Sequence, residues 1–279
     1  MSDIQIKVDK LSKKFKDTVA LEQVSFEVKK GEIFGFLGPS GAGKTTTINI
    51  LTNQLSPDEG NAEILGKNPK QLHSEDLMKL GIMSDTVGFY ENMTVYHNLV
   101  FFARFHDIPL KRVDQLLKKL NLYDDRKKKM KKISTGMKQR LLLIRAILHE
   151  PDIVFLDEPT SGMDPTLSQK VHELLMELKE KGCAIFLTTH NMQEATKLCD
   201  KISLLNKGKI LEYGSPQSII DKYHTDPHTH IRYKDGSEKL ILTEDLGDYL
   251  SADVVSMHTL EPSLEAIFIA LTGEKWHDK

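Results

Sequence analysis

Cysteine is scarce in this sequence: two residues, Cys183 and Cys199, both inside apparent secondary structure and without CxxC spacing. That excludes a disulfide framework and a thiolate metal site, and it fits buried, reduced thiols in a cytoplasmic protein. Long apolar runs are missing as well. Nothing approaches the roughly 18 consecutive apolar residues of a membrane-crossing helix. The opening MSDIQIKVDK lacks the apolar core and small-residue cleavage site of a signal peptide. No charge of one sign dominates: 38 Lys and Arg against 40 Asp and Glu leave a formal net charge of −2, which argues against a dedicated nucleic-acid partner. The sequence shows no internal repeat and no extended low-complexity tract. What remains is an ordinary globular composition over 279 residues, enough for one large domain and a small appendage.

Ile6, Val8 and Leu11, then Val24, Phe26 and Val28 alternating with polar residues, predict early strands. Gly31 turns the chain into Ile33–Leu37, a nearly all-apolar run suited to a central parallel strand. A glycine-rich loop comes next, then a predicted helix over Thr46–Leu55. From about residue 74 to 150 the spacing is mostly helical, with Leu116, Leu117 and Leu120, and later Leu141, Ile144 and Leu148, on single stripes. Strands return at Ile153–Leu156 and Ala184–Thr188, separated by an amphipathic helix through Val171, Leu174, Leu175 and Leu178. A helix near Met192–Cys199 is succeeded by a hairpin turn at Asn206-Lys207-Gly208-Lys209. Strands alternating with helices predict an α/β core around a parallel sheet, with a helical subdomain inserted. The expected boundaries are a main domain over 1–223, a polar, His-rich linker over 224–237 and a small α+β domain over 238–279.

Gly38, Pro39, Ser40, Gly41, Ala42, Gly43, Lys44 and Thr45 fit G-x-x-x-x-G-K-[ST] between a predicted strand and a predicted helix. Glycines let backbone N–H groups converge on phosphate oxygens, a concavity that side chains would obstruct. Lys44 would bridge the β- and γ-phosphates, the Thr45 hydroxyl would ligate Mg²⁺, and Thr46 belongs to the same binding turn. The strand Ile153–Leu156 ends in Asp157-Glu158-Pro159-Thr160. Acidic residues at the C-terminal end of a parallel strand stand where ligands bind in open α/β sheets. Asp157 suits a Mg²⁺ that keeps several waters, and Glu158 suits the base that polarises an attacking water.

Between these two motifs lies Ile133-Ser134-Thr135-Gly136-Met137-Lys138-Gln139-Arg140. It resembles the signature of the ABC ATPases, usually L-S-G-G-Q, matching at Ser134 and Gly136 and departing at Thr135 and Met137. Ser161-Gly162-Met163-Asp164 resembles the D-loop of that family, His190 its switch histidine, and Phe15 the aromatic on which adenine stacks. These elements occur in the family's order over about residues 4–223. The resemblance implies a P-loop NTPase of the ABC ATPase fold, with an antiparallel β subdomain. It implies ATP and Mg²⁺ as ligands, Glu158 and His190 as catalytic groups, and Ser134, Thr135, Gly136 and Met137 acting in trans. Asp164 would cross the dimer interface. The implied partners are a second copy or a paralogous ATPase subunit and a separate membrane permease, which places the chain on the cytoplasmic face of the cell membrane.

The tail, Glu261 to Gly273, is similar to the C-terminal end found in the ABC-2 exporter group, which includes drug, antibiotic and antimicrobial-peptide exporters. Aligning Leu80 to Asp85 with the family puts Asp85 where a glutamine normally stands, which implies a carboxylate able to engage Mg²⁺ or its water. A soluble ABC ATPase acting on ribosomes or DNA, and an importer subunit, are the competing expectations. The first usually carries two fused modules or long coiled-coil insertions, neither of which is present.

Overall fold

Alternating burial builds the first sheet. In β1 (Ile4–Phe15) and β2 (Thr18–Lys29) one face carries Ile6, Val8 and Leu11 opposite Val24, Phe26 and Val28, all buried. The two strands pair antiparallel, with Phe15 opposite Thr18 at the tip and Val8 opposite Phe26. The structure is a computed structural model that describes residues 3–84, 88–224, 228–251 and 253–274. Asp85 lies outside the described residues. The chain divides into two units, 1–213 and 214–279.

In the larger unit, β3 (Ile33–Leu37) is buried at every position, as a central parallel strand demands. It leads through the glycine-rich loop into α1 (Lys44–Leu51), two residues earlier than predicted, because Gly43 caps the helix at φ 114°. The helix also stops earlier, with Asn53 turning the chain at φ 57°. β4 (Glu59–Ile64) returns to pair antiparallel with β1, giving a three-stranded sheet in the order β2-β1-β4.

The expected helical stretch over 74–150 opens with one-turn α2 (Ser74–Leu77) and then β5 (Leu80–Met83), which joins the central sheet beside β6 (Ile153–Asp157). This strand is a correction: four apolar residues show no period that separates strand from helix. The helical insertion proper is α3 (Val95–Phe105), α4 (Leu110–Lys119) and α5 (Thr135–Ile147). α5 lies directly on β5. A Cβ on Gly81 would stand 2.0 Å from the Ala146 carbonyl oxygen, so only glycine fits there.

After β6 come α6 (Pro165–Glu180), β7 (Ala184–Thr189), α7 (Met192–Leu198), β8 (Lys201–Asn206) and β9 (Lys209–Gly214). The central sheet runs β5-β6-β7-β3-β8-β9, and β5 through β8 pair parallel in it. Lys207 and Gly208 join β8 to β9 with φ 46° and 81°, a two-residue turn that makes β9 an antiparallel edge. The two sheets share an aromatic core: Phe26 stacks on Phe34 at 5.0 Å and on Phe186 at 5.6 Å, with Phe36 alongside. Each such ring contributes about 1.5–3 kcal/mol through burial.

The smaller unit holds α8 (Pro216–Tyr223), β10 (His228–Tyr233), β11 (Glu238–Leu242), α9 (Leu246–Tyr249), β12 (Val254–Leu260) and α10 (Leu264–Thr272). Its sheet is antiparallel in the order β11-β10-β12. Two expectations change. The stretch 224–237 carries β10, because Thr229 and Ile231 supply a buried face while His230 and Arg232 make the sequence look polar. α8, expected in the main domain, packs with α10 in this unit. Otherwise the α/β core, antiparallel β subdomain, helical insertion and small α+β appendage stand as expected.

Candidate active site

β3 stops at Leu37, and two glycines shape the loop beyond it. A Cβ on Gly38 would lie 2.6 Å from the Leu205 carbonyl oxygen, and one on Gly43 would lie 2.4 Å from that of Ala20. Gly41 has open space around it and is required only by its φ of 80°. The loop therefore closes tightly against β8 and β2 and delivers the positive end of α1 to its concave side. Lys44 is 9% exposed. Its Nζ donates to the carbonyls of Gly38 at 2.7 Å and Pro39 at 3.3 Å, and stands 3.5 Å from Glu158 Oε1.

Asp157, the last residue of β6, accepts from Thr45 Oγ1 at 3.1 Å and from Thr188 Oγ1 at 2.5 Å. Glu158 then takes φ 50°, a left-handed backbone that costs a side-chain-bearing residue about 1–3 kcal/mol. Surrounding hydrogen bonds hold it there. Its N–H donates to the Thr188 carbonyl and hydroxyl, both at 3.2 Å, and its carbonyl accepts from Gln139 Nε2 at 3.1 Å. The turn aims the carboxylate at His190, whose Nδ1 lies 2.8 Å from Glu158 Oε2. Lys44, Thr45, Asp157, Glu158 and His190, remote in sequence, thus form one connected cluster at the C-terminal ends of β3, β6 and β7.

The remaining predicted residues stand elsewhere. Phe15 sits at the tip of the β1–β2 hairpin, 46% exposed, with Lys13 Nζ 5.5 Å from its ring. Ser134 caps α5 by accepting from the Met137 N–H at 3.3 Å, and Asp164 caps α6 by accepting from the Leu167 N–H at 3.0 Å. The two loops are neighbours within the subunit, since a Cβ on Gly136 would lie 3.9 Å from the Gly162 carbonyl oxygen. Thr188, Gln139, Thr160, Thr189, His172 and Glu194 did not emerge from sequence reasoning. The available signal was a pair of hydroxyls, Thr188 and Thr189, ending an otherwise apolar strand.

Residues 21–161 match the family described as ABC transporter. A fluoroquinolones export ATP-binding protein of Mycobacterium tuberculosis is 34% identical over 267 residues, covering 92% of this chain and 88% of that protein. The chain belongs to the ABC transporter family. A bacitracin transport ATP-binding protein of Bacillus licheniformis is 38% identical over 209 residues, covering 74% of this chain and 68% of that protein. The dimeric structure of an ATP-binding cassette in a post-hydrolysis state, bound to ADP and phosphate, aligns with TM-score 0.67 and 25% identity over 75% of this chain and 98% of that one. The larger unit is accordingly an ABC ATPase cassette, and the chain is an ATP-binding, ATP-hydrolysing subunit of an ABC transporter. Among the described residues no helix is long and apolar enough to cross a membrane.

Proposed function

We propose that two copies of this chain, or one copy and a paralogous ATPase subunit, close on two molecules of MgATP. Each nucleotide is held between the Gly38–Thr45 loop of one subunit and Ser134–Met137 of the other, with Asp164 at the interface. The closure moves a separate integral membrane permease of the ABC-2 type at the cytoplasmic face of the membrane. The cargo is a drug, antibiotic or antimicrobial peptide moved outward.

The contact between Glu158 and His190, within reach of Lys44, carries the chemical part of the reading. Phosphoryl transfer asks a protein mainly for positioning and charge. Glu158 takes the proton of the attacking water, His190 orients that carboxylate and hydrogen-bonds the γ-phosphate, and Lys44 with the loop amides neutralises the phosphate oxygens. Thr45 Oγ1 and Asp157 offer adjacent hard oxygen donors, which fit Mg²⁺ and would hold it. The ion supplies additional charge neutralisation at the phosphates.

Two observations support the partner and direction. Tyr90 and Phe101 meet edge-on at 5.5 Å and, with Phe105, leave an exposed aromatic stripe on the helical insertion that suits a protein partner. The names of the two relatives above speak of export and transport of antibiotics. The test is purification of the full chain from membranes with its bound permease, then uptake of labelled fluoroquinolone or bacitracin into inverted vesicles. ATP-driven uptake that a Glu158→Gln subunit abolishes supports the reading. Recovery with an import permease or with ribosomes overturns it.

A further inference from the structure

Behind the Glu158–His190 pair lies a second carboxylate that the hydrolytic scheme does not use. Glu194, on the first turn of α7, is 5% exposed. Its N–H donates to Asn191 Oδ1 at 3.0 Å, fixing the start of the helix. Oε1 accepts from Thr160 Oγ1 at 2.7 Å and from His172 Nε2 at 2.7 Å. Oε2 accepts from Thr189 Oγ1 at 3.1 Å, and the same hydroxyl accepts from the Asn191 N–H at 3.0 Å. Burial alone would raise the carboxyl pKa, but the hydrogen bonds from His172, Thr160 and Thr189 outweigh it, so the group is held below the usual range and stays charged.

The donors come from three separate places. Thr160 lies two residues beyond Glu158, Thr189 immediately precedes His190, and His172 is on α6. A single buried charge therefore ties together the loop that presents the base and the loop that presents the switch histidine. Packing does not do this job, because a cavity of about 220 Å³ lies beside the pair, lined by Glu158, His190, Met163, Ser161, His172 and Glu194. With open space there, the 2.8 Å approach of His190 to Glu158 depends on how the two loops are anchored. A buried carboxylate is costly unless every lone pair is used, and a fully satisfied one rigidifies what it joins.

We propose that Glu194, together with His172, is a positioning residue for ATP hydrolysis, setting the Glu158–His190 contact by clamping Thr160 and Thr189. The clamp does not touch nucleotide. It rests on the reading of Glu158 and His190 as the hydrolytic pair.

The test compares full-length protein carrying Thr160→Val, Thr160→Ser, His172→Leu, His172→Gln or Glu194→Gln with wild type and with Glu158→Gln. The measurements are steady-state ATP turnover, KM for ATP and melting temperature. Thr160→Val, nearly equal in volume, should lower kcat about tenfold with KM within about twofold, as expected when an interaction realised in the transition state is lost. Thr160→Ser should restore kcat, and His172→Gln, which keeps a donor, should retain more turnover than His172→Leu. Wild-type kcat in both Thr160→Val and His172→Leu, beside an inactive Glu158→Gln, overturns the clamp alone. Loss of kcat in parallel with ATP affinity and melting temperature, unrelieved by the serine variant, reduces the network to a fold tie and overturns it too. Normal turnover in Glu158→Gln instead removes the hydrolytic pair and the clamp with it.

Discussion

Lys44 Nζ and Glu158 Oε1 lie 3.5 Å apart, joining the loop after β3 to the loop after β6 across the end of β7, the strand between them. The cation proposed to serve the phosphates and the carboxylate proposed to serve the water are thus neighbours. Glu158→Gln should keep nucleotide binding, because the phosphate loop is untouched, and should lower turnover by about a hundredfold or more. Phosphate release and ATP-dependent dimerisation, measured together, check this. Near-normal turnover would take Glu158 out of the role.

The signature is expected to act across the dimer, and a mixing experiment tests that. Ser134→Arg should leave nucleotide binding by the monomer largely intact yet block ATP-dependent pairing. It should also lower stability by about 1 kcal/mol through loss of the α5 cap. Mixed with Lys44→Ala subunits, each mixed dimer has one site with both defects and one intact site. ATP-dependent pairing should return in the mixture, and its complete absence would weaken the trans assignment.

Asp85→Gln should reduce the Mg²⁺ dependence of ATP turnover and disturb transport more than nucleotide binding. An amide offers the ion a neutral oxygen where the carboxylate offers an anionic one. Unchanged Mg²⁺ titrations and transport would leave Asp85 a bystander.

Gly81→Ala probes the seat of the helical insertion. The added methyl would stand 2.0 Å from the Ala146 carbonyl oxygen, so α5 must lift off β5. Overpacking of this kind costs about 1–3 kcal/mol, and a carbonyl oxygen in fixed backbone yields poorly. Chemical denaturation should show a loss near the top of that range. A loss below about 0.5 kcal/mol, well under the usual overpacking cost, would mean the helix shifts freely.

His149 supplies a pH dependence. Burial, with the His106 ring stacked at 4.5 Å, holds its pKa down to about 4, against a partial lift from its hydrogen bond to the Leu80 carbonyl. The folded ring is therefore neutral where the unfolded ring, near 6.5, gains a proton. Its contribution is fully present above about 6.5 and is lost as pH falls toward 4. His149→Gln should show a smaller drop in melting temperature between neutral pH and about 4.5 than wild type. Equal drops would place the acid sensitivity elsewhere.

The parts legible in the sequence share a property: their signal is local. Ile33–Leu37 and the loop after it announce themselves because an all-apolar run and a fixed glycine spacing each fit in one window. Asp157 and Glu158 stand out by their place at the end of such a run. β5 was hidden by its length, and β10 by His230 and Arg232 on its polar face. Glu194 and His172 carried no signal, since a glutamate or a histidine inside a helical pattern looks solvated until the fold brings its partners to it, and the hydroxyls of Thr188 and Thr189 marked only the end of an apolar strand. The left-handed backbone of Glu158 was equally invisible, because no residue type marks it.

Phe26 belongs to the sheet whose hairpin tip bears Phe15, while Phe34 and Phe186 lie on the strands from which the phosphate loop and His190 emerge. Because Phe26 stacks on both rings, the hairpin that ends at Phe15 and the strands that lead to Lys44 and His190 are rooted in one core, so a core substitution such as Phe26→Ala should disturb both sheets together.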